Sequence, residues 1–371
     1  MSRTHDLRTL VGQLMIVGFD GATLTPEVRS MLMTVQPGGV ILFARNIHEP
    51  RQTHALLAAS QKQVATRLFQ CVDLEGGTVD RLRDVVAPAP AVADVARTAR
   101  KALYREHGRI LGEEANALGF NVDFAPVVDL GYDASLNVLT NRTASAEPSQ
   151  TVAYTREFLR GLKDSHVLGC GKHFPGLGEA NLDSHDTLPV VNKPLAKMWI
   201  EDLVPYRALH RQMPFVMCAH CAYPEVTEDN TPATLSRKWI TGILRKRVGY
   251  KGIILCDDLD MGGVLAAAPI EDAARETLRA GADMFLVCRN QEHLMRAFEA
   301  VLREAERSSR FREIVETAAH RVMAFKRTSP ALKRRTAPAP SDARIDRLRR
   351  KVWLFSEELR LAINAEATRE I

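Results

Sequence analysis

The sequence predicts an α/β protein built as a (β/α)8 TIM barrel, a single domain with extra C-terminal helices. Eight short apolar runs alternate with segments of helical spacing, and most runs are continuous rather than alternating, as in parallel strands covered on both faces. Polar residues follow the end of every run, which is typical of a barrel, whereas an open doubly wound sheet gathers them at one switch point. The periodicity alone would also allow that open sheet.

The predicted strands cover residues 14–19, 39–43, 68–72, 121–125, 167–172, 214–218, 252–256 and 284–288. The predicted helices between and after them cover residues 26–35, 53–66, 98–118, 150–163, 195–211, 236–248, 270–280, 292–306 and 312–325. The polar residues that follow the strands are Asp20, Arg45, Asn46, Asp73, Glu75, Asp129, Lys172, His173, His220, Asp257 and Arg289.

Length and composition suit an ordinary globular enzyme. The 371 residues allow one large barrel or two average domains, and a net charge of +5 says little about partners. The apolar run 14–19 is short and lacks a small-residue cleavage pattern, so it is interpreted as a core strand. No run approaches the roughly 20 apolar residues of a membrane helix. A cytoplasmic protein without a membrane partner is therefore expected.

The six cysteines mostly end apolar runs, where a free buried thiol is the ordinary interpretation. Cys218 and Cys221 form a CxxC, a spacing that also occurs in redox and zinc sites. No second CxxC accompanies this pair, and Cys218 closes a predicted strand. No metal and no cofactor are expected.

The composition changes after Phe325. We divide the chain into a catalytic barrel at 1–326 and a basic linker with a C-terminal helix at 327–371, packed on the barrel or on a partner. Amphipathic helical spacing runs over 345–363. Nucleic-acid binding would need a basic face with interleaved aromatic residues, so it is not expected. The chain is expected to be a monomer or a weak homodimer.

The segment 171–189, GKHFPGLGEANLDSHDTLP, concentrates chemically active side chains in a loop rich in glycine and proline. In an extended segment, residues two apart project to the same side, so Asp183 can lie beside His185. Such a pair can act as a general acid and base, with the carboxylate fixing the imidazole. Taken alone, a DSH triplet is also compatible with an ordinary surface turn.

Asp257 follows the seventh predicted strand and should lie at the barrel mouth. A carboxylate there can attack a sugar carbon and form a covalent intermediate. The neighbouring Asp258 would point elsewhere and support the loop. A DD pair after a strand can equally be a metal ligand or a helix cap.

Five further residues are candidates for binding a polar ligand. Asp73 lies in DLEGG, where two glycines let the backbone approach a ligand, although a turn with a capping aspartate is an equal alternative. Lys172, His173, Arg81 and Arg142 can donate hydrogen bonds to hydroxyls, and the cations also suit an anionic substituent. For Arg142, a solvated loop arginine remains the alternative.

These motifs together resemble glycoside hydrolase family 3, and in particular its single-barrel bacterial β-N-acetylglucosaminidases. The resemblance runs from about Val11 to Arg289 and rests on four segments that occur in order. They are DLEGG (73–77), KHFPG with DSH (172–185), PATLS (232–236) and CDDLDM (256–261).

The resemblance implies roles for the candidate residues. Asp257 falls on the family's nucleophile, and His185 falls on its acid/base with Asp183 as partner. Asp73, Arg81, Arg142, Lys172 and His173 fall on sugar-binding positions. Leu177, Thr78 and Cys256 depart from the usual pattern, and Leu177 removes a polar contact from the catalytic loop.

The expected activity is a retaining exo-β-N-acetylglucosaminidase of cell-wall recycling, acting on N-acetylglucosaminyl-anhydromuramyl glycosides. A histidine acid would avoid repelling the lactyl carboxylate of such a substrate. The nearest alternative is a phosphorylase or a β-glucosidase of the same family. From another class, a metal-dependent barrel hydrolase or lyase lacks the expected ligand spacing.

Overall fold

The computed structural model describes residues 6–180, 182 and 187–367, with the side chains of 366 and 367 left out. Within this part of the chain, eight parallel strands close into a barrel. The α/β barrel class predicted from the sequence is confirmed.

The barrel strands are β1 (Met15–Val17), β2 (Gly39–Ile41), β3 (Phe69–Val72), β6 (Val122–Asp123), β7 (Leu168–Phe174), β8 (Phe215–Cys218), β9 (Ile253–Asp258) and β10 (Met284–Val287). Around the barrel they follow the order β1-β10-β9-β8-β7-β6-β3-β2. Each lies within or beside a predicted strand. A small antiparallel hairpin of β4 (Leu74–Gly76) and β5 (Val79–Asp80) follows β3 and was not predicted.

The α-helices of the described chain are α1 (Leu7–Gly12), α2 (Pro26–Val35), α3 (Pro50–Gln61), α4 (Val92–Arg97), α5 (Lys101–Leu118), α6 (Leu136–Leu139), α7 (Pro148–Asp164), α8 (Leu195–Ile200), α9 (Val204–Leu209), α10 (Pro224–Thr227), α11 (Gly262–Leu265), α12 (Ile270–Ala280), α13 (Gln291–Arg307), α14 (Ser309–Thr328), α15 (Pro330–Lys333) and α16 (Asp342–Ala367). A π-helical segment, Lys238–Arg247, replaces the predicted α-helix over 236–248.

Local sequence signals explain several helix ends. The Thr25 side chain accepts a hydrogen bond from the Val28 amide at the start of α2, and the Asn290 side chain caps α13 in the same way. Helix α12 ends at Ala280, and the capping residue Gly281 has a φ of 110°, in the left-handed region that glycine tolerates.

The single helix predicted over 195–211 is wrong. Helix α8 ends at Ile200, and Glu201 adopts φ −122° and ψ −97°, outside the helical region. Helix α9 then starts at Val204 with Pro205 in its first turn. Proline has no amide hydrogen to donate to the preceding turn, so it is tolerated at a helix start and not inside a continuous helix.

The barrel interior is closed by aromatic side chains at the amino ends of the strands. Phe69 and Phe215 begin β3 and β8, and their rings meet edge to face with centroids 5.1 Å apart. Phe325 of α14 packs against both rings. The amino end of the barrel is therefore filled, which leaves the carboxyl end for a ligand.

All six cysteines are buried as free thiols. Burial raises the pKa of Cys218 and of Cys221, the latter to about 12. Neutral, buried thiols of this kind are inert, so the CxxC pair is part of the packing of the protein.

Helix α16 packs its apolar side on the barrel layer. Phe355 stacks on the imidazole of His107 in α5, with ring centroids 5.8 Å apart and planes 16° apart. Lys351 pairs with Glu113 of the same helix α5. Among the described residues, no helix is both long enough and apolar enough to cross a membrane.

Candidate active site

The carboxyl ends of the barrel strands surround a cavity of about 750 Å³. Its lining combines a mostly apolar floor with charged walls. The lining residues are Ile41, Phe43, Ala44, Arg45, Asp73, Glu75, Val79, Arg81, Phe124, Arg142, Lys172, His173, Met217, Asp257, Asp258, Asp260, Met261, Leu286, Cys288 and Arg289.

A buried ion-pair network forms one wall of the cavity. Lys172, near the end of β7, places its Nζ 2.8 Å from Asp73 Oδ1 and 2.6 Å from Glu75 Oε1. Arg142, in the loop after α6, donates two hydrogen bonds to Glu75, from Nε at 2.8 Å and from Nη2 at 2.9 Å. This paired geometry fixes the directions of both cations.

The same network keeps its groups charged. Burial would raise the pKa of Glu75, but Arg142 and Lys172 outweigh burial and lower it to about 2. Burial likewise opposes charge on Lys172, but Asp73 and Glu75 hold its pKa above the ordinary value. Paired charges can therefore remain in a region where an isolated charge would be costly.

A close turn holds the hairpin that carries Glu75. Gly76 has φ 82°, and a Cβ placed on it would collide with the carbonyl oxygen of Pro90. His107 Nε2 would lie 3.0 Å from the same Cβ. Glycine is therefore required at this point of the DLEGG motif.

His173 is held by Asp129, which follows β6. His173 Nδ1 lies 2.7 Å from Asp129 Oδ2, and the same carboxylate accepts hydrogen bonds from the backbone amides of His173 and Leu177. The carboxylate can only accept, so Nδ1 carries the hydrogen atom of this bond. Nε2 of the ring is then the atom available to a ligand.

Asp257 lies near the end of β9 and lines the cavity. Its Oδ1 accepts a hydrogen bond from the Asp258 amide at 2.8 Å. Burial would raise the pKa of Asp257, but His220, His173, that amide and Lys172 outweigh burial and lower it. Asp257 is therefore ionised at neutral pH, as a carboxylate nucleophile must be.

Asp258 also lines the cavity, and its carboxylate supports the loop through hydrogen bonds. Its Oδ1 accepts hydrogen bonds from the backbone amides of Asp260 and Cys288. Burial raises the pKa of Asp258 to about 7. It ties the end of β9 to the end of β10.

A second wall joins an aromatic ring to two guanidinium groups. The Cζ atoms of Arg45 and Arg81 lie 4.7 and 6.0 Å from the ring centroid of Phe43. Arg45 also pairs with Asp20 and donates to the carbonyl of Cys288. The Nε of Arg81 is buried and has no hydrogen-bond partner among the described residues.

The structure brings together six of the predicted site residues, Asp73, Arg81, Arg142, Lys172, His173 and Asp257. Asp183 and His185 lie outside the described residues.

Sequence reasoning missed the importance of three residues. Glu75 and Asp129 were noted only as polar residues near strand ends, and Phe43 only as the last residue of the predicted strand 39–43. The spacing of two residues between Asp73 and Glu75 in DLEGG was the available signal for Glu75. Among the described residues, no group of three or more histidine, cysteine, aspartate or glutamate side chains could hold a metal ion.

Comparison with known proteins agrees with this geometry. The model of the glycosyl hydrolase family 3 N-terminal domain matches residues 6–325. A protein of Bordetella pertussis named beta-hexosaminidase is 40% identical over 282 residues, covering 74% of this chain and 79% of that protein. A beta-hexosaminidase of Pseudomonas aeruginosa is 36% identical over 293 residues, covering 79% and 87%.

Solved structures give the same result. A glycoside hydrolase family 3 beta-N-acetylglucosaminidase from Paenibacillus superposes with a TM-score of 0.86 at 30% identity, covering 94% of this chain and 68% of that one. NagZ from Neisseria gonorrhoeae, solved with N-trifluoroacetyl-D-glucosamine, has a TM-score of 0.71 at 30% identity, covering 84% and 98%. The resemblance predicted from the motifs is confirmed, and the chain belongs to glycosyl hydrolase family 3.

Proposed function

We propose that this chain is a retaining exo-β-N-acetylglucosaminidase that removes terminal N-acetylglucosamine from muropeptide-type glycosides. One observation carries the proposal. The ionised Asp257 carboxylate lines the same cavity as the hydrogen-bonding groups Asp73, Arg142, Lys172 and His173. A carboxylate nucleophile beside a set of sugar-binding donors and acceptors is what a retaining glycosidase requires.

The assignment of the chain to the β-N-acetylhexosaminidases does not depend on the role of Asp257. The chain is a glycoside hydrolase of the β-N-acetylhexosaminidase type, as predicted. Family 3 covers residues 6–325, and the relatives named beta-hexosaminidase share 36–40% of their aligned residues with it. The retaining mechanism and the substrate are the proposed parts.

In the proposed first step, Asp257 attacks the anomeric carbon while the bond to the leaving oxygen breaks. His185, protonated and supported by Asp183, gives its proton to that oxygen. A glycosyl ester of Asp257 remains. In the second step, water gives a proton to neutral His185 and attacks the anomeric carbon, and the ester bond breaks. The sugar leaves with β configuration and both groups return to their starting states.

The ion-pair wall would hold the sugar. Asp73 can accept hydrogen bonds from sugar hydroxyls, Lys172 and Arg142 can donate them, and His173 Nε2 can accept one. Because the cations are already paired with Glu75, little reorganisation accompanies binding. Arg81 would complete this set with a guanidinium that has a free donor.

The muropeptide part of the proposal is supported by the cationic rim. Arg45 and Arg81 flank Phe43, and Arg289 lines the cavity next to Cys288. An aromatic ring can pack against an aglycone sugar, and guanidinium groups suit a lactyl carboxylate. An N-acetylglucosaminyl-anhydromuramyl glycoside carries both features.

Covalent trapping tests the mechanism directly. The enzyme is incubated with a 2-acetamido-2-deoxy-5-fluoro glycosyl fluoride, digested and measured by mass spectrometry. The expected result is an adduct on the peptide that contains Asp257. An adduct on another peptide, or no adduct from a fully active enzyme, would contradict the assignment.

Two substrate comparisons separate the alternatives. Paired chromogenic β-glucosaminides and β-glucosides, with and without the N-acetyl group, distinguish a hexosaminidase from a β-glucosidase. Added phosphate that yields a sugar 1-phosphate would instead identify a phosphorylase. We expect hydrolysis of the N-acetylated substrate and no sugar phosphate.

We propose further that residues 1–326 form the catalytic unit, with 327–371 as an appended segment, and that the protein is cytoplasmic. The six cysteines in thiol form support a reducing compartment.

A further inference from the structure

The PATLS segment at 232–236 is a motif that the proposed reaction leaves without a role. It forms a turn, Ala233–Leu235, in which Thr234 is completely buried. The Ala233 amide donates to the carbonyl of Cys221, so the turn is fastened to the chain just after β8. Its threonine is thereby brought to His220.

His220 forms a bridge between this turn and β9. Its Nδ1 lies 2.9 Å from Thr234 Oγ1, and its Nε2 lies 2.9 Å from the carbonyl oxygen of Asp258. The imidazole is 1% exposed. Since a carbonyl can only accept, Nε2 must carry a hydrogen atom.

The Asp258 residue connects this bridge to the cavity. Its carbonyl also accepts a hydrogen bond from the Met261 amide at 3.0 Å, so both lone pairs are used. The amide of the same residue donates to Asp257 Oδ1 at 2.8 Å. The carbonyl and the amide of Asp258 therefore link His220 to the Asp257 carboxylate.

We propose that His220 is a positioning residue for Asp257, which it orients through the backbone of Asp258 while Thr234 holds the imidazole in place. The inference rests on the proposed function, because it assigns His220 to the nucleophile of that reaction. With Oδ1 held by the amide, Oδ2 is directed toward the anomeric carbon. A nucleophile fixed in this way avoids the entropy cost of orienting it in each turnover.

The bridge accepts either protonation state of the imidazole. The Thr234 hydroxyl can donate to a bare Nδ1 or accept from a protonated Nδ1, so neither state leaves a buried atom unpaired. A charged His220 favours the ionised form of Asp257. The other groups that act on Asp257 in the same sense are His173 and Lys172 of β7 and the Asp258 amide.

The remaining charged groups around the cavity come from several elements. Asp258 lies beside Asp257 on β9, and Asp73, Glu75, Arg81, Arg142, Asp260 and Arg289 line the same cavity. None of these is altered in the variants below, so a change in the pH profile reports the bridge.

The test compares Thr234→Val, Thr234→Ser, His220→Gln and His220→Phe in the full chain. The rate of covalent labelling by the 5-fluoro donor and the pH profile of kcat/KM are measured for each. Thr234→Val should slow labelling about fivefold through one lost hydrogen bond, and Thr234→Ser should stay near the parent. His220→Phe should slow it about 10²-fold through misplacement of the nucleophile, with KM changed far less than kcat.

The pH profile of His220→Gln distinguishes a positioning role from a purely structural one, because loss of structure alone would not shift the profile. An amide can keep the hydrogen bond to the Asp258 carbonyl but cannot become cationic. The acidic limb of the kcat/KM profile should therefore shift to higher pH, because Asp257 then loses its charge at a higher pH. A profile identical to that of the parent would overturn the inference.

Thr53→Val is the matched control. Thr53 is also buried, and its hydroxyl donates to the carbonyl of Glu49 at 2.8 Å in α3, outside the cavity lining. The Thr53→Val variant should lose about as much stability as Thr234→Val and keep the parental labelling rate. If His220→Phe does not fold, the Thr234→Val and Thr234→Ser pair decides, since equal rates for the two contradict the proposed bridge.

Different results would contradict the proposed function and the inference about His220. A parent enzyme that neither cleaves the N-acetylglucosaminide nor labels Asp257 contradicts the proposed function. A parent that does both, with His220 and Thr234 variants that match it in labelling rate and pH profile, contradicts only the inference about His220.

Discussion

The Nζ atom of Lys172 lies 2.6 Å from Oε1 of Glu75, and both side chains are almost fully withdrawn from solvent. The pair joins β7 to the hairpin after β3 at the rim of the barrel. Arg142 shares the same carboxylate, so two cations pair with Glu75, and Lys172 pairs with Asp73 as well.

Glu75→Gln should lower the free energy of unfolding and also change its pH dependence. The folded pKa of Glu75, about 2, is below the ordinary value of 4.5, so its stabilising effect is complete above pH 4.5 and is lost as the pH falls toward 2. Denaturant unfolding of the parent and the variant at several pH values measures the difference. That difference should shrink between pH 5 and pH 2, and a constant difference would contradict the assigned pairing.

Asp257→Gly should lower kcat by at least about 10³-fold on an aryl β-N-acetylglucosaminide, because no carboxylate remains to form the ester. Azide can enter the space left by the side chain and attack the anomeric carbon directly. The expected rescue product is the α-glycosyl azide, identified by NMR. A β-azide would show that another nucleophile still acts.

Asp129→Asn should raise KM about 10-fold or more with a smaller change in kcat. The carboxylate now accepts hydrogen bonds from the His173 amide, His173 Nδ1 and the Leu177 amide. An amide has one oxygen and no charge, so it can keep only part of this set, and hydrogen bonds to charged groups are the stronger ones. Steady-state kinetics on a chromogenic substrate measures this. An unchanged KM would remove His173 from the sugar-binding set.

Arg45→Met should reduce the preference for an anionic aglycone by about threefold to tenfold, with little effect on a neutral aglycone. The reason is the loss of one guanidinium from the rim beside Phe43. Values of kcat/KM are compared for two β-N-acetylglucosaminides that differ only by a carboxylate on the aglycone. Arg29→Met, an exposed arginine of α2, serves as the control, and equal losses on both substrates would count against the anionic substrate.

Phe355→Ala should destabilise the protein by about 3 kcal/mol or more, because it empties a buried site against His107. Trp353→Ala on the same helix should change stability by less than about 0.5 kcal/mol, since Trp353 is 61% exposed. Chemical denaturation of both variants gives the comparison. Similar losses for the two would mean that α16 does not pack as described.

The sequence predicted the barrel well because buried parallel strands appear as continuous apolar runs. Each of the eight runs coincides with a barrel strand. The β4–β5 hairpin was missed because its strands have only three and two residues, too few to show a period. The break after Ile200 was missed because apolar spacing continues through it, although Pro205 was a visible warning.

Contacts within the site were harder to predict than its members. Strand-end position was enough to place Asp73, Lys172 and Asp257 at one rim. It could not show that Asp129 would hold His173, because those residues are 44 positions apart and meet only through strand order. The arrangement of Arg45 and Arg81 on Phe43 likewise depends on the closed barrel and has no local pattern.

The buried state of every thiol gives this chain an internal reporter of opening. A maleimide added to the intact enzyme should find no reactive sulfur, whereas an unfolded molecule offers six. The mass added during a short pulse therefore counts the molecules that have opened. Alkylation can follow the opening of the barrel without any engineered label.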